Sequence, residues 1–173
     1  PYRSGGGLCG SKITDAQAAY ETSNSLNAGL MGGVNFMLHS CGWLEGGLVT
    51  SIEKFIMDAD QLGILDSLSK GIDVEESDLA FEAIKDVGAG GHFLGCDHTQ
   101  KNFKSAFWRS DILNYKPFET WQEEGEKDLT FEANKKAEQL LKNYEPPELE
   151  LSKREELKEY VLKKKSSMPD AFV

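Results

Sequence analysis

The chain has 173 residues, with 19 Lys and Arg against 29 Asp and Glu, a formal net charge of −10 and 39% hydrophobic residues. That length suits one domain with a sizeable core, no apolar run approaches the roughly 18 residues of a membrane span, and the acidic balance supplies no basic face for nucleic acid. Three widely spaced cysteines, Cys9, Cys41 and Cys96, with no CxxC pair, argue against a disulfide framework and for reduced thiols in the cytoplasm.

The first residues, Pro1-Tyr2-Arg3-Ser4-Gly5-Gly6-Gly7, carry neither a start methionine nor a secretory signal and read as the interior of a longer protein. Tyr2-Arg3 reads as the end of a strand. Ile13 to about Leu30 is predicted helical, with Asp15 as its cap and Ile13, Ala16, Tyr20 and Leu26 as a loose apolar stripe. Gly32-Gly33 stops it, and Val34–Leu38 is a short buried strand followed by a glycine-rich loop, His39–Gly47. From Thr50 or Ser51 the residues Ile52, Phe55, Ile56, Ala59 and Leu62 recur at helical spacing, the clearest stripe in the chain. Gly71 ends that segment. A further helix covers Glu75–Val87, with Glu75, Glu76 and Asp78 where the helix dipole favours anions and Leu79, Ala83, Ile84 and Val87 on the buried face. After Gly88-Ala89-Gly90-Gly91, the stretch His92-Phe93-Leu94-Gly95 is a candidate strand, and Thr99 caps a helix running to Phe107.

Composition changes near Ser110: of the 17 glycines only Gly125 follows it. Tight βα turns need glycine and surface helices avoid it, so residues 1–110 read as βα units and residues 111–173 as a helical extension. Phe118–Tyr144 is predicted as one helix. Pro146-Pro147 breaks the chain, and a last helix is capped by Ser152 with Glu155 completing a capping box. Lys163-Lys164-Lys165 is then a solvated helix end. The fold class is α/β with a parallel sheet. Three strands are countable, whereas a β/α barrel needs eight strands and about 250 residues, so the remaining strands belong upstream.

In a parallel β/α architecture, functional groups gather past the C-terminal ends of strands. Three segments qualify here: Ser4–Lys12, His39–Gly47 and Gly95–Thr99. A zinc reading takes His39, Cys41, His92, Cys96 and His98, but no pair has the usual ligand spacing, and core thiols with hydrogen-bonding histidines are its alternative. A phosphate reading takes free backbone N–H groups of Gly5-Gly6-Gly7, against a plain tight turn. An amine reading takes the π-faces of Trp43, Phe93 and Trp108, with Glu45 or Asp97 as counter-charge. Against it, Trp43 is an ordinary wall residue and Glu45 a helix cap.

Four stretches, GSKITDAQAAYE (Gly10–Glu21), GVNFMLHSCGWLEGGLVTSIEKFIMDADQLG (Gly33–Gly63), GAGGHFLGCDHTQKNF (Gly88–Phe103) and FETW (Phe118–Trp121), closely resemble the trimethylamine methyltransferase family. The resemblance covers well over half of the chain, in order. It implies the C-terminal part of a β/α (TIM-type) barrel, followed by a helical tail, that moves a methyl group from trimethylamine, or from a quaternary amine such as glycine betaine, to the cobalt of a cognate corrinoid protein. The chain itself then binds no cofactor or metal. Its partners are the corrinoid protein and a small methylated amine, with self-association left open, and its place is the cytoplasm. Trimethylamine-specific members carry pyrrolysine, which this chain lacks; its place falls either ahead of Pro1 or within Gly5–Lys12, where Cys9 is its replacement. The residues in matching blocks at predicted strand ends are His39, Glu45 and His98 as catalytic groups and Trp43, His92 and Asp97 as substrate contacts. A truncated barrel with only a structural, associating role is the alternative, and a zinc-dependent methyltransferase a further one.

Overall fold

The computed structural model describes residues 1–72 and 74–168. It divides into two compact units, Pro1–Leu140 and Leu141–Val173. The fold is mixed α/β and mostly helical.

The first unit opens with β1 (Arg3–Gly5), α1 (Ala16–Met31) and β2 (Phe36–Leu38). β1 and β2 are parallel neighbours, with Ser4 opposite Met37, and the helix between them makes the crossover that a parallel pair requires. Asp15 caps α1 as expected. Its carboxylate accepts the Ala18 N–H at 3.0 Å and the Ser11 hydroxyl at 2.9 Å, and these bonds, the Ala18 one foremost, hold the carboxyl below its ordinary range.

The helical period is as expected and Leu26 of the expected stripe is buried, but the rest of that stripe is not. The buried residues of α1 are Ala18, Thr22 and Leu26, one turn apart each, while Ile13 and Tyr20 are exposed. Small side chains at Ala18 and Thr22 let the loop after β1 come close, which the bulkier stripe would prevent.

The loop after β2 is not irregular throughout. β3 (Trp43–Leu44) and β4 (Val49–Thr50) form an antiparallel hairpin joined by a 3₁₀ turn at Glu45–Gly47. α2 (Ile52–Lys70) follows, its first turn capped by the Ser51 hydroxyl accepting the Lys54 N–H at 3.1 Å. Here too the sequence stripe is not the buried face, although Ile56 and Leu62 are half-buried. Lys54, Asp58 and Leu65 are the buried residues of α2, whereas Ile52 and Phe55 are more than half exposed. An ion pair satisfied inside the fold has displaced the apolar face from the α1 contact.

The expected helix over Glu75–Val87 is present only in its second half, as α3 (Phe81–Val87). Ala80, in the left-handed region at φ 50°, sets its start, and Leu79 and Ile84 are exposed. His92–Gly95 is not a strand but an irregular turn closed by the Cys96 N–H on the Phe93 carbonyl at 3.2 Å. Four glycines within 88–95 leave little side chain to pack a strand. α4 (Asp97–Asn102) therefore starts from Cys96, and Thr99 lies inside it rather than at its cap.

The single helix expected over Phe118–Tyr144 is two, α5 (Phe118–Glu123) and α6 (Leu129–Lys142). Gly125 takes φ 95°, a helix-ending conformation that glycine adopts without steric penalty. The Trp121 indole N–H then closes the turn on the Lys127 carbonyl at 2.9 Å. Asn134 of α6 donates to Glu53 at 2.8 Å, and Ser110, ahead of α5, donates to Asp60 at 2.7 Å, fastening both to α2.

In the second unit α7 (Leu151–Ser167) starts one residue before Ser152, with Glu150 at the cap and no side-chain capping bond. The expected capping box is not formed. Lys164 and Lys165 do occupy the last turn, where the dipole favours cations.

Candidate active site

Two strand-end loops meet beyond the C-terminal ends of β1 and β2. The Gly7 N–H donates to the His39 carbonyl at 2.7 Å, so this amide is not free for a phosphate. A methyl group on Gly7 would stand 2.5 Å from the Ser40 carbonyl oxygen, which is why the loops can approach only through glycine. Further along, the Glu45 N–H donates to the Ser11 carbonyl at 2.8 Å, the Gly46 N–H to the Cys9 carbonyl at 2.7 Å, and the Cys9 thiol to the Trp43 carbonyl at 3.2 Å. Cys9 is buried with Ala18 and Leu44 in the small core beneath this junction, and burial pushes its thiol up.

On this base His39 and Trp43 stand edge to face, ring centroids 5.7 Å apart at 77°. His39 and Glu45 are exposed and Trp43 is half-buried. His39 at φ 54° and Glu45 at φ 50° both hold left-handed backbone, which costs a non-glycine residue on the order of 1 kcal/mol. The His39 and Trp43 rings thus meet on one tied surface, and Glu45 stands two residues on in the same loop.

His92, Asp97 and His98 lie elsewhere. With Cys96 they line a cavity of about 1140 Å³ against α3, where Glu76, Asp78, Glu82 and Asp86 also stand. His98 Nε2 lies 3.2 Å from the Ser77 carbonyl. Because His92–Gly95 is not a strand, these residues do not follow a strand end as expected. Trp108 is likewise apart: its indole covers Gly63 of α2. Phe93 is half exposed. Among the described residues no three His, Cys, Asp or Glu side chains are placed to hold a metal ion, and no helix is long and apolar enough to cross a membrane.

One feature of the site has no sequence signal. Lys54 is 1% exposed and donates to Asp58 at 2.5 Å and to the Thr22 hydroxyl at 2.8 Å. Thr22 in turn donates to the Gly7 carbonyl at 3.2 Å, and Asp58 accepts the Gly42 N–H at 2.8 Å. Burial pushes the Asp58 carboxyl up, and the Lys54 and Gly42 hydrogen bonds offset part of that rise. A Lys and an Asp four apart on a helix ordinarily read as a solvated pair.

The whole of residues 1–169, both groups of candidate residues included, matches the family model described as trimethylamine methyltransferase (MTTB). The chain belongs to the trimethylamine methyltransferase family. A glycine betaine methyltransferase of Desulfitobacterium hafniense (strain Y51) is 43% identical over 150 residues, covering 87% of this chain and 31% of that protein. Trimethylamine methyltransferase MttB of D. hafniense (strain DSM 10664 / DCB-2) is 32% identical, covering 83% of this chain and 29% of that protein. MttB of Methanosarcina barkeri (strain Fusaro / DSM 804) is 32% identical, covering 81% and 28%. This trimethylamine methyltransferase family chain therefore spans less than a third of the length of these relatives.

Proposed function

We propose that the chain supplies one wall of the amine pocket of a corrinoid-dependent methyltransferase, as the C-terminal βα units of a cytoplasmic β/α barrel protein. The observation that carries this reading is the His39–Trp43 edge-to-face pair with Glu45 on the same tied loop, past the end of a parallel strand. An aromatic face within about 6 Å and a carboxylate are what a methylated ammonium group needs. Glycine betaine is the first substrate to test, because the identity to the glycine betaine methyltransferase is 43% against 32% for the trimethylamine enzymes; trimethylamine is the second.

The corrinoid, carried by its own partner protein, supplies the nucleophile that takes the methyl group. The chain's task is alignment: Trp43 packs on the methyl groups, and Glu45 and His39 orient the nitrogen so that one methyl carbon points outward, the positioning that makes an encounter productive. As the carbon–nitrogen bond breaks, both electrons stay on nitrogen, and a quaternary substrate leaves as a neutral amine. The attraction of Trp43 and Glu45 for a cation is then lost, which favours product release. His98 is proposed as a third catalytic group, and His92 and Asp97 as further substrate contacts. They lie in the matched region and share one cavity.

The test is methyl transfer from each amine to a corrinoid protein, by the chain alone and by the chain combined with the part of a family protein that it does not cover. Transfer by the combination, lowered roughly 10-fold or more in kcat/KM by Trp43→Ala as loss of a desolvated cation–π contact predicts, supports the reading. No transfer from either amine leaves the structural, associating role in its place.

A further inference from the structure

Both side chains of the Lys54–Asp58 pair are buried, and a buried ion pair contributes little stability that well-packed apolar side chains would not. What distinguishes this pair is what it connects. From the ammonium of Lys54 one arm runs through the Thr22 hydroxyl to the Gly7 carbonyl, in the loop after β1. The other runs through the Asp58 carboxylate to the Gly42 N–H, in the loop after β2. Gly42 directly precedes Trp43, and Gly7 is bonded to the His39 backbone. Both arms thus end at the backbone of the His39–Trp43 surface, and every polar atom along the path is satisfied by its neighbour.

We infer that Lys54 and Asp58, with Thr22, are positioning residues: a buried tie that sets the two strand-end loops against each other and so sets the distance between the His39 and Trp43 rings. This rests on the reading of that surface as the amine-facing wall. The tie acts through the backbone, and none of its three side chains touches the substrate. Its rigidity follows from its burial, since in a medium of low polarity an unpaired member is strongly disfavoured and the arrangement has one satisfied geometry.

The experiment uses two variants of the chain, combined with the complementary part of a family protein and its corrinoid protein. Lys54→Met with Asp58→Leu removes both charges together and leaves no orphaned ion. Thr22→Val cuts only the Gly7 arm. Three quantities are measured: the thermal midpoint, hydrogen exchange at the Gly42 amide, and KM and kcat with glycine betaine.

A tie predicts that the double variant stays folded with a lowered midpoint, because the buried Gly42 N–H loses its acceptor, exchanges Gly42 about tenfold faster or more, and loses about tenfold or more in kcat, the scale expected when reacting groups are displaced by an ångström or less. Thr22→Val is expected to lower kcat by a smaller factor, with Gly42 still protected. Wild-type kcat in a folded double variant, or unchanged Gly42 exchange, overturns the inference. A double variant that fails to fold passes the decision to Thr22→Val: wild-type kcat there overturns the tie, and lowered kcat at an unchanged midpoint supports it. Wild-type protein with no methyl transfer overturns the amine reading, and positioning falls with it, whereas activity that is present and indifferent to both variants overturns positioning alone.

Discussion

Gly7 has no room for a side chain. An added methyl group would meet the Ser40 carbonyl at 2.5 Å and the Thr22 methyl at 3.1 Å, and a backbone contact of that kind is not relieved by rotating a side chain. Gly7→Ala is expected to destabilise the first unit by about 1–3 kcal/mol, the cost of overpacking, read as a lowered midpoint in thermal unfolding. The three thiols divide in the same local terms. Burial, with a smaller contribution from Asp58, pushes Cys41 up to about 11, while the Thr99 hydroxyl and backbone draw Cys96 down. Only the thiolate alkylates, so iodoacetamide at pH 8 is expected to label Cys96 well before Cys41 and before buried Cys9, as followed by peptide mass spectrometry. Equal labelling of Cys41 and Cys96 would contradict these environments. At this scale the sequence is informative about identity more than about place. His39, Trp43 and Glu45 are anticipated together from one glycine-rich loop, and the His39 and Trp43 rings meet there. His92, Asp97 and His98 are anticipated at a strand end that does not form, and line a cavity against α3. Lys54 was invisible because nothing in a Lys–Asp pair on a helix announces burial.

Helices α1 and α2 are legible in position and only partly in phase. α1 and α2 begin at the residues whose side chains cap them, Asp15 and Ser51, because capping is a local act that a few residues determine. Which face turns inward depends on what lies opposite. Ala18 faces inward as a small apolar group beside Cys9 and Leu44, and Thr22 and Lys54 do so because they complete a hydrogen-bonded tie to the neighbouring loops. Gly125 shows the converse: a single glycine inside a helix-prone run divides α5 from α6, and it was visible as an isolated glycine. The α1 cap also carries a pH signature. With its carboxyl held below the ordinary value of 3.8, Asp15 binds fewer protons folded than unfolded through that window. Its stabilisation is therefore complete above that value and is lost as pH falls through the lowered one. The thermal midpoint of Asp15→Ala is expected to lie below wild type at pH 7 and to converge on it as pH falls below 3.8 and through the lowered value. A constant gap would contradict the cap.

On the scale of the molecule, the α/β class and the parallel βαβ start were readable from glycine distribution and strand–helix order. The hairpin within His39–Thr50 was not, since strands of two residues leave no alternation to detect. β1 and β2 pair only with each other among the described strands, and Phe36, Ile52 and Phe55 are each more than half exposed. A two-stranded parallel pair with open edges and bare aromatic rings is prone to pair with further chain. The 173-residue chain is accordingly expected to self-associate at micromolar concentration in light scattering, and to do so less when combined with the complementary part of a family protein. A monodisperse monomer by itself would contradict that expectation.

The proposed function requires the His39–Trp43 surface to face a methylated amine. The most direct measurement is the nuclear Overhauser effect between the N-methyl protons of glycine betaine and selectively labelled tryptophan rings in the combined protein. The predicted result is a strong effect at the Trp43 indole, abolished in Trp43→Ala. An effect confined to Trp108 or Trp121, unchanged by that substitution, would contradict it.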